Sequence, residues 1–210
     1  MTRVTRGRVP DVLVLEPHHL TDERGVFYEG VRTDALTAVT GRPFVPRQVN
    51  YSVSRRGTLR GLHGVRVPPG QAKLVTCVRG SVRDVVVDLR LGSPEFGTYE
   101  TTALDAESGR AVYVPEGVVH GFLALTDDAC VSYLLSTPHV PGTQIDIDPL
   151  DPDLAIAWTA GAPADLELLL SAKDRAAPGV REAEAAGLLP YWRGSRHPAA
   201  PLPQRSGVSA

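Results

Sequence analysis

The 210-residue sequence is short of long apolar runs, of net charge and of cysteine, and each shortage excludes a class of protein. No apolar run approaches the ~20 residues that a transmembrane helix needs, so we expect no membrane association. A net charge of −2 gives no basic field, so nucleic acid is not expected as a partner. The two cysteines, Cys77 and Cys130, lie in apolar strand-like segments, which predicts buried free thiols. Because the N-terminus also lacks the apolar core of a signal peptide, we expect a cytoplasmic protein.

Lysine is scarce as well. Of the 22 basic residues only Lys73 and Lys173 are lysines, and the others are arginines. A lysine kept in such a chain indicates a task that needs a compact ammonium ion and not a planar guanidinium. Chance remains an alternative for either lysine taken alone, but both lie inside the motifs described below.

Glycine and proline, with 20 and 18 residues, separate many short β-rich segments. The segments Leu74–Val78 and Val82–Leu89 are joined by Arg79-Gly80, which predicts a tight hairpin. Another turn, Pro-Glu-Gly, lies between Ala111–Val114 and Phe122–Leu125. Many short strands at close spacing predict an antiparallel sandwich or barrel, and the absence of βαβ alternation disfavours a Rossmann sheet.

Helix signals are confined to the two ends of the sequence. Thr33-Asp34-Ala35-Leu36 has a capping residue followed by helix formers, and Arg181–Leu189 predicts a short helix that stops at Gly187. From Gly194 onward the sequence has few apolar residues to bury. We therefore predict one domain over residues 1–193 and a disordered tail over residues 194–210.

A β-barrel that carries histidines raises the question of a metal site. The metal-binding version of such a barrel, the cupin, supplies two histidines one residue apart, a glutamate and a later histidine. Here His63 is followed by Gly64-Val65, and Lys73 stands where a carboxylate would be needed. His120 alone remains of the ligand set, and one or two histidines rarely hold zinc or iron. We expect no metal and no other cofactor.

Without a metal, the same residues suit proton transfer. His63 is a natural general base near neutral pH, and the cations Lys73 and Arg60 could stabilise an enolate oxygen. Tyr133, on an apolar strand, could be the opposing general acid. The alternatives are structural: His63 completing a hydrogen bond in a turn, Arg60 facing solvent, and Tyr133 packing in the core.

The ordered series of motifs resembles the dTDP-4-dehydrorhamnose 3,5-epimerase family, the metal-free sugar-nucleotide epimerases of the cupin superfold. The similarity extends from about Val9 to Tyr191. It implies an all-β cupin-type jelly-roll barrel with short peripheral helices, a homodimer, and a cofactor-free reaction on a dTDP-4-keto-6-deoxy sugar nucleotide. The motifs that carry it are Asp22-Glu23-Arg24-Gly25, Gly57 to His63, Gln71-Ala72-Lys73, Asp84 to Arg90, Gly92 to Gly97, Pro115 to Phe122 and Ser171 to Asp174.

The resemblance implies roles for five residues in catalysis. His63 would remove the proton α to the C4 ketone, and Asp174 would orient that histidine. Lys73 and Arg60 would face the enolate oxygen. Tyr133 would return a proton from the opposite face, as inversion requires.

Further positions are implied for substrate binding. Arg24 and Lys173 would contact the nucleotide portion, with Gln48 and Asn50 near the thymine. The remaining binding positions implied by the resemblance are Glu29, His120 and Gln144.

Three departures from the family pattern predict an active enzyme with changed regiochemistry or substrate. Gly64-Val65 replaces an aromatic residue and glutamine, Pro138-His139 replaces an aromatic pair, and Gln144 replaces a glutamate. Relatives in antibiotic-sugar pathways can epimerise C3 alone or C5 alone. The alternatives are a 3,4-ketoisomerase of the same superfold, a sugar-nucleotide binding protein without catalysis, and a metal-dependent oxygenase.

Overall fold

A computed structural model of the chain describes residues 2–163 and 165–194. These residues form three short helices and thirteen strands, most of them in two large antiparallel sheets. The strands are β1 (Arg3–Arg6), β2 (Leu13–Glu16), β3 (His19–Asp22), β4 (Gly25–Tyr28), β5 (Gln48–Ser54), β6 (Leu59–Val65), β7 (Lys73–Arg79), β8 (Ser81–Val87), β9 (Tyr99–Asp105), β10 (Ala111–Val114), β11 (Val119–Ala124), β12 (Ala129–Leu135) and β13 (Gln144–Asp146). The helices are α1 (Thr33–Thr40), α2 (Ala172–Arg175) and α3 (Val180–Ala185).

The two large sheets pack face to face as a jelly-roll barrel of the cupin type, which confirms the predicted fold class. One sheet has the strand order β1-β2-β10-β7-β12-β5 and the other β13-β6-β11-β8-β9, while β3 and β4 form a separate hairpin. Val75 and Val112 of the six-stranded sheet pack against Val82, Val86 and Phe122 of the five-stranded sheet, and all five are buried. This apolar core fixes the distance between the sheets.

The outer faces of both sheets are covered in part. Val85 of the five-stranded sheet packs with Trp158 and Val180 from the C-terminal part of the chain, and Leu74 of the six-stranded sheet packs with Leu36 of α1. Because strands such as β8 are buried on both faces, their sequences are continuous valine-rich runs and not simple alternations.

The predicted hairpin at Arg79-Gly80 is wrong. The strands on either side of it, β7 and β8, belong to different sheets and lie face to face. Gly80 is the corner where the chain passes from one sheet to the other. Its φ is +71°, and a Cβ there would lie 2.2 Å from Thr126 Oγ1. The same local turn signal serves a hairpin or a corner between sheets, so the sequence does not separate them.

Both predicted helices are present, and a third one positions the site. The C-terminal helix is α3, which is shorter than predicted and lies ahead of a left-handed Gly187 (φ +65°). In α2, the Ser171 side chain caps the first turn by accepting a hydrogen bond from the Asp174 amide at 3.0 Å.

Two further expectations concern the termini and the cysteines. Apart from Gly194, the tail predicted over residues 194–210 lies outside the described residues. Both cysteines are free thiols, Cys77 buried and Cys130 half-buried. Within the described ranges, no helix is long and apolar enough to cross a membrane.

Candidate active site

A cavity of about 320 Å³ opens at one end of the barrel, between the two sheets. Strands from both sheets, the loop after β12 and helix α2 line it. Six of the site residues predicted from the sequence face this cavity. They are Gln48, Asn50, His63, Lys73, Gln144 and Lys173.

The structure brings His63 of β6 to Asp174 of α2, although 111 residues separate them in the sequence. His63 Nε2 lies 2.7 Å from Asp174 Oδ1, and the carboxylate is buried. A carboxylate at Nε2 favours the tautomer with the proton on that atom, and the Nδ1 lone pair is then free. Burial lowers the pKa of His63 below its usual value, and Asp174 raises it back in part. The imidazole is therefore neutral at neutral pH, as a general base must be.

Lys73 is the buried cation of the site. Its ammonium donates a hydrogen bond to the main-chain carbonyl of His63 at 3.1 Å. Burial lowers the pKa of Lys73 to about 8, and the carboxylates of Asp84 and Asp146 oppose that shift. The group is therefore still charged at neutral pH, in surroundings of low polarity where an ammonium stabilises a nearby oxyanion strongly.

His120 forms a second histidine–carboxylate pair behind His63. β11 pairs with β6 so that His120 lies opposite His63. His120 Nε2 lies 2.5 Å from Asp84 Oδ2 of β8, and both side chains are buried. The sequence singles out His120 but assigns no role to Asp84. A carboxylate within a valine-rich strand is the signal from which that role could have been found.

Tyr133 of β12 does not line this cavity; it is half-buried against the core between the sheets and contacts the His120 ring edge-on, with 6.1 Å between ring centroids. Its hydroxyl lies 3.4 Å from Ser52 Oγ. Burial raises the pKa of Tyr133 above its usual value, so the phenol keeps its proton at neutral pH. Arg60 is exposed and donates from Nε to Ser54 Oγ at 3.1 Å, and its positive charge acts on Tyr133.

The rim of the cavity is a chain of amide contacts. Gln48 donates to Asn50 Oδ1 at 2.9 Å and accepts from the His139 amide at 2.9 Å. Gln144 Nε2 lies 3.2 Å from His139 Nδ1. Two of the departures from the family pattern, His139 and Gln144, are therefore in direct contact. The third, Gly64, is packed tightly, because a Cβ there would lie 2.9 Å from Val119 Cγ1.

Arg24 and Glu29 do not line this cavity. Both are exposed, on or next to the β3–β4 hairpin, and Arg24 forms an ion pair with Asp22 at 2.5 Å. Their role in substrate binding stays a prediction.

Besides Asp84, a second residue of the site was missed in the sequence. Asp146 lies at the end of β13, directly opposite His63 in the register. Its Oδ1 lies 2.8 Å from Lys173 Nζ and 3.8 Å from His63 Nε2. A three-residue strand in a loop-rich segment gives no pattern from which this position could have been found.

The arrangement can move protons at carbon. It combines a neutral imidazole on β6 and a buried ammonium on β7, both at the cavity, with a protonated phenol on β12, the strand that pairs with β7. Among residues 2–163 and 165–194, no group of three or more His, Cys, Asp or Glu side chains forms a candidate metal site. A separate cavity of about 180 Å³ on the outer side, beside Tyr113 and Trp192, contains none of the predicted site residues.

Comparison with known proteins gives consistent matches over nearly the whole chain. A family model described as dTDP-4-dehydrorhamnose 3,5-epimerase matches residues 6–182. The chain is 47% identical to a dTDP-4-dehydrorhamnose 3-epimerase from Streptomyces niveus, covering 95% of this chain and 94% of the relative. It is 49% identical to a dTDP-4-dehydrorhamnose 3,5-epimerase from Mycolicibacterium smegmatis, covering 82% and 83%. Among solved structures, a 3′-monoepimerase from Streptomyces bikiniensis in complex with dTDP-quinovose has a TM-score of 0.81 at 47% identity, covering 86% of this chain and 89% of that one.

Proposed function

The chain belongs to the dTDP-4-dehydrorhamnose 3,5-epimerase family, and we propose that it epimerises a dTDP-4-keto-6-deoxyhexose at C3 alone or at C3 and C5. It is an isomerase of deoxysugar biosynthesis. The observation that carries the proposal is the 2.7 Å contact between His63 and Asp174 beside the buried ammonium of Lys73. No cofactor takes part in the reaction that we propose.

The proposed reaction has two proton transfers. Nδ1 of His63 removes the proton from the carbon next to the C4 ketone, and the C–H electrons move to the carbonyl oxygen. The ammonium of Lys73, with Arg60, stabilises the resulting enolate. The Tyr133 hydroxyl then donates its proton to the carbon from the other face. His63 ends as imidazolium and Tyr133 as phenolate, and proton exchange with solvent restores both.

The remaining polar residues of the cavity are proposed to bind the nucleotide. Gln48 and Asn50 at the rim suit the thymine, because side-chain amides offer both donors and acceptors. Lys173 suits the diphosphate as an exposed cation at the mouth. His120, held by Asp84, and Gln144 complete the proposed binding set around the sugar.

We propose a cytoplasmic homodimer with residues 1–193 as one catalytic domain. β5 is an open edge of the six-stranded sheet and exposes Val49 and Tyr51, and Phe27 on the β3–β4 hairpin is 70% exposed. An open edge and apolar side chains of this kind are suited to a second copy of the chain. In such a dimer, the hairpin could carry Arg24 and Glu29 to the partner's cavity. A Phe27→Asp variant that still sediments as the wild-type dimer would contradict this role for the hairpin.

The identities of 47% to a 3-epimerase and 49% to a 3,5-epimerase favour neither activity, so the inverted carbon is identified by experiment. The test is NMR of dTDP-4-keto-6-deoxyglucose incubated with the protein in D2O. Deuterium at C3 alone identifies a 3-epimerase, and deuterium at C3 and C5 identifies the bifunctional type. Deuterium at C5 alone, or at neither carbon, contradicts the proposal for this substrate.

The control is His63→Ala under the same conditions. Loss of deuterium incorporation with nearly unchanged dTDP binding by calorimetry supports His63 as the base. Equal loss of binding and turnover would assign His63 a structural role instead. Turnover that is lost with a chelator and restored by iron would favour the oxygenase alternative.

A further inference from the structure

One carboxylate oxygen in the cavity has an unusual environment. Asp146 Oδ1 is fully buried and, among the described residues, accepts no hydrogen bond. Two basic groups face it nonetheless. Lys173 Nζ lies 2.8 Å away in an ion pair without hydrogen-bond geometry, and His63 Nε2 lies 3.8 Å away.

The backbone holds this carboxylate in place. Asp146 lies opposite His63 in the β13–β6 register, and the next residue, Ile147, exchanges two main-chain hydrogen bonds with Leu62, both 3.0 Å long. Ile147 is also buried in the core. The backbone of Asp146 therefore cannot move away from His63 without breaking the edge of the five-stranded sheet.

Two carboxylates consequently face the same nitrogen of His63. Asp174 accepts its hydrogen bond at 2.7 Å, whereas Asp146, at 3.8 Å, is beyond hydrogen-bond distance and acts through its charge. The other charged or titratable groups around His63, from every element packed against it, are Lys73 on β7, His120 on β11 with Asp84 behind it on β8, and Lys173 on α2.

We propose that Asp146 is a positioning residue of the epimerase, which stabilises the protonated form of His63 and holds Lys173 at the mouth of the cavity. The inference rests on the proposed function, because a charge beside Nε2 matters once Nδ1 has taken a proton from the sugar. Asp174 fixes the tautomer of His63. Asp146 adds a negative charge on an oxygen that accepts no hydrogen bond among the described residues. Lys173 neutralises part of that charge while the cavity is empty.

The experiment is an NMR titration of the His63 ring in the free protein, assigned by comparison with a His63→Gln variant. Asp146→Asn keeps the shape of the side chain and is expected to lower the pKa of His63 by about 1 unit, because an opposite charge within ~4–6 Å favours the charged form. Lys173→Met removes the neutralising cation and is expected to raise the pKa of His63. Asp153→Asn is the matched control, because it removes one carboxylate of an exposed ion pair with Arg181 at 2.7 Å, and it should change nothing.

In each variant, the acid limb of the pH profile of turnover should move in the same direction as the pKa of His63. A merely structural role for Asp146 would not shift the His63 titration oppositely in the two variants. Unmoved titrations, or shifts of the same sign, overturn the inference. If Asp146→Asn does not fold, Asp146→Ser replaces it, and it too should shift the His63 pKa in the direction opposite to Lys173→Met.

The titration needs no substrate, so the two proposals can fail separately. Opposite shifts in a protein without turnover would support the effect of Asp146 on the charge of His63 and refute the proposed function. Normal turnover with an unchanged His63 pKa in both variants would refute the inference on Asp146 and leave the proposed function intact.

Discussion

Replacing Lys73 with methionine is expected to make the protein more stable and less active. The pKa of Lys73 falls from 10.5 to about 8 on folding, because the ammonium is buried. At about 1.4 kcal/mol per pKa unit, the buried charge costs about 3 kcal/mol of folding free energy at neutral pH. Methionine fills a similar volume without a charge.

The hydrogen bond from Lys73 to the His63 carbonyl offsets part of this gain. Its loss leaves a main-chain acceptor unpaired and costs about 1 kcal/mol, so the net gain of the variant is about 2 kcal/mol. The size of the penalty depends on pH. Because the folded-state pKa is the lower one, the unfolded chain binds the extra proton between the two pKa values. The penalty is therefore complete below about pH 8 and disappears as the pH approaches about 10.5.

Urea denaturation at one protein concentration, near pH 7 and near pH 10, measures both effects. The free energy of unfolding of the Lys73→Met variant should clearly exceed that of the wild type near pH 7, and the difference should be much smaller near pH 10. Its turnover should fall by about 100- to 1,000-fold, the usual effect of removing one oxyanion stabiliser. A variant that is less stable than the wild type near pH 7, or equally stabilised at both pH values, would refute the conclusion that burial of the Lys73 charge destabilises the fold.

The same geometry makes three other predictions. The pH profile of kcat/KM should be a bell, because His63 must be neutral and Lys73 charged. Its acid limb should lie below pH 6.5 and its basic limb at about 8, and a flat profile up to pH 10 would contradict the basic limb. Tyr133→Phe should still exchange the α-proton in D2O while losing most epimerised product, and loss of exchange would give Tyr133 another role. Asp84→Asn should lower the free energy of unfolding by about 1 kcal/mol in urea, because a neutral amide oxygen replaces the charged acceptor of His120, and an unchanged value would make the charge of that pair dispensable.

The central strands, such as β7 and β8, could be predicted from the sequence, but their assignment to sheets could not. Valine-rich segments bounded by glycine identify β7 and β8 within a residue or two. The path of the chain after Arg79-Gly80 depends on which apolar face each strand buries, and that is decided by distant partners such as β10 and β12 for β7. A corner and a hairpin have the same local chemistry, so the tertiary packing decides between them.

The site divides in a similar way. His63, Lys73 and Asp174 lie in recognisable motifs, and the structure brings these motifs together. Asp84 lies in one of the family motifs without an assigned role and Asp146 lies in none of them, because the importance of both comes from the strand that lies beside them. Each is aligned with a histidine by strand pairing or by a contact between neighbouring strands, and such alignments are not encoded in local sequence.

The two histidine–carboxylate pairs show how the fold gives different roles to the same chemistry. His63 is 36% exposed at the cavity, whereas His120 is 4% exposed and enclosed between β6 and β8. A base has to reach both the substrate and the solvent in order to take a proton and lose it again, and that condition is met by His63 alone of the two. His120 is fixed by Asp84 and packs against the Tyr133 ring. Its ring is therefore suited to keeping one orientation toward a hydrogen-bond partner. Exposure, and not the identity of the partner, therefore favours His63 for the proposed proton transfer and His120 for orientation.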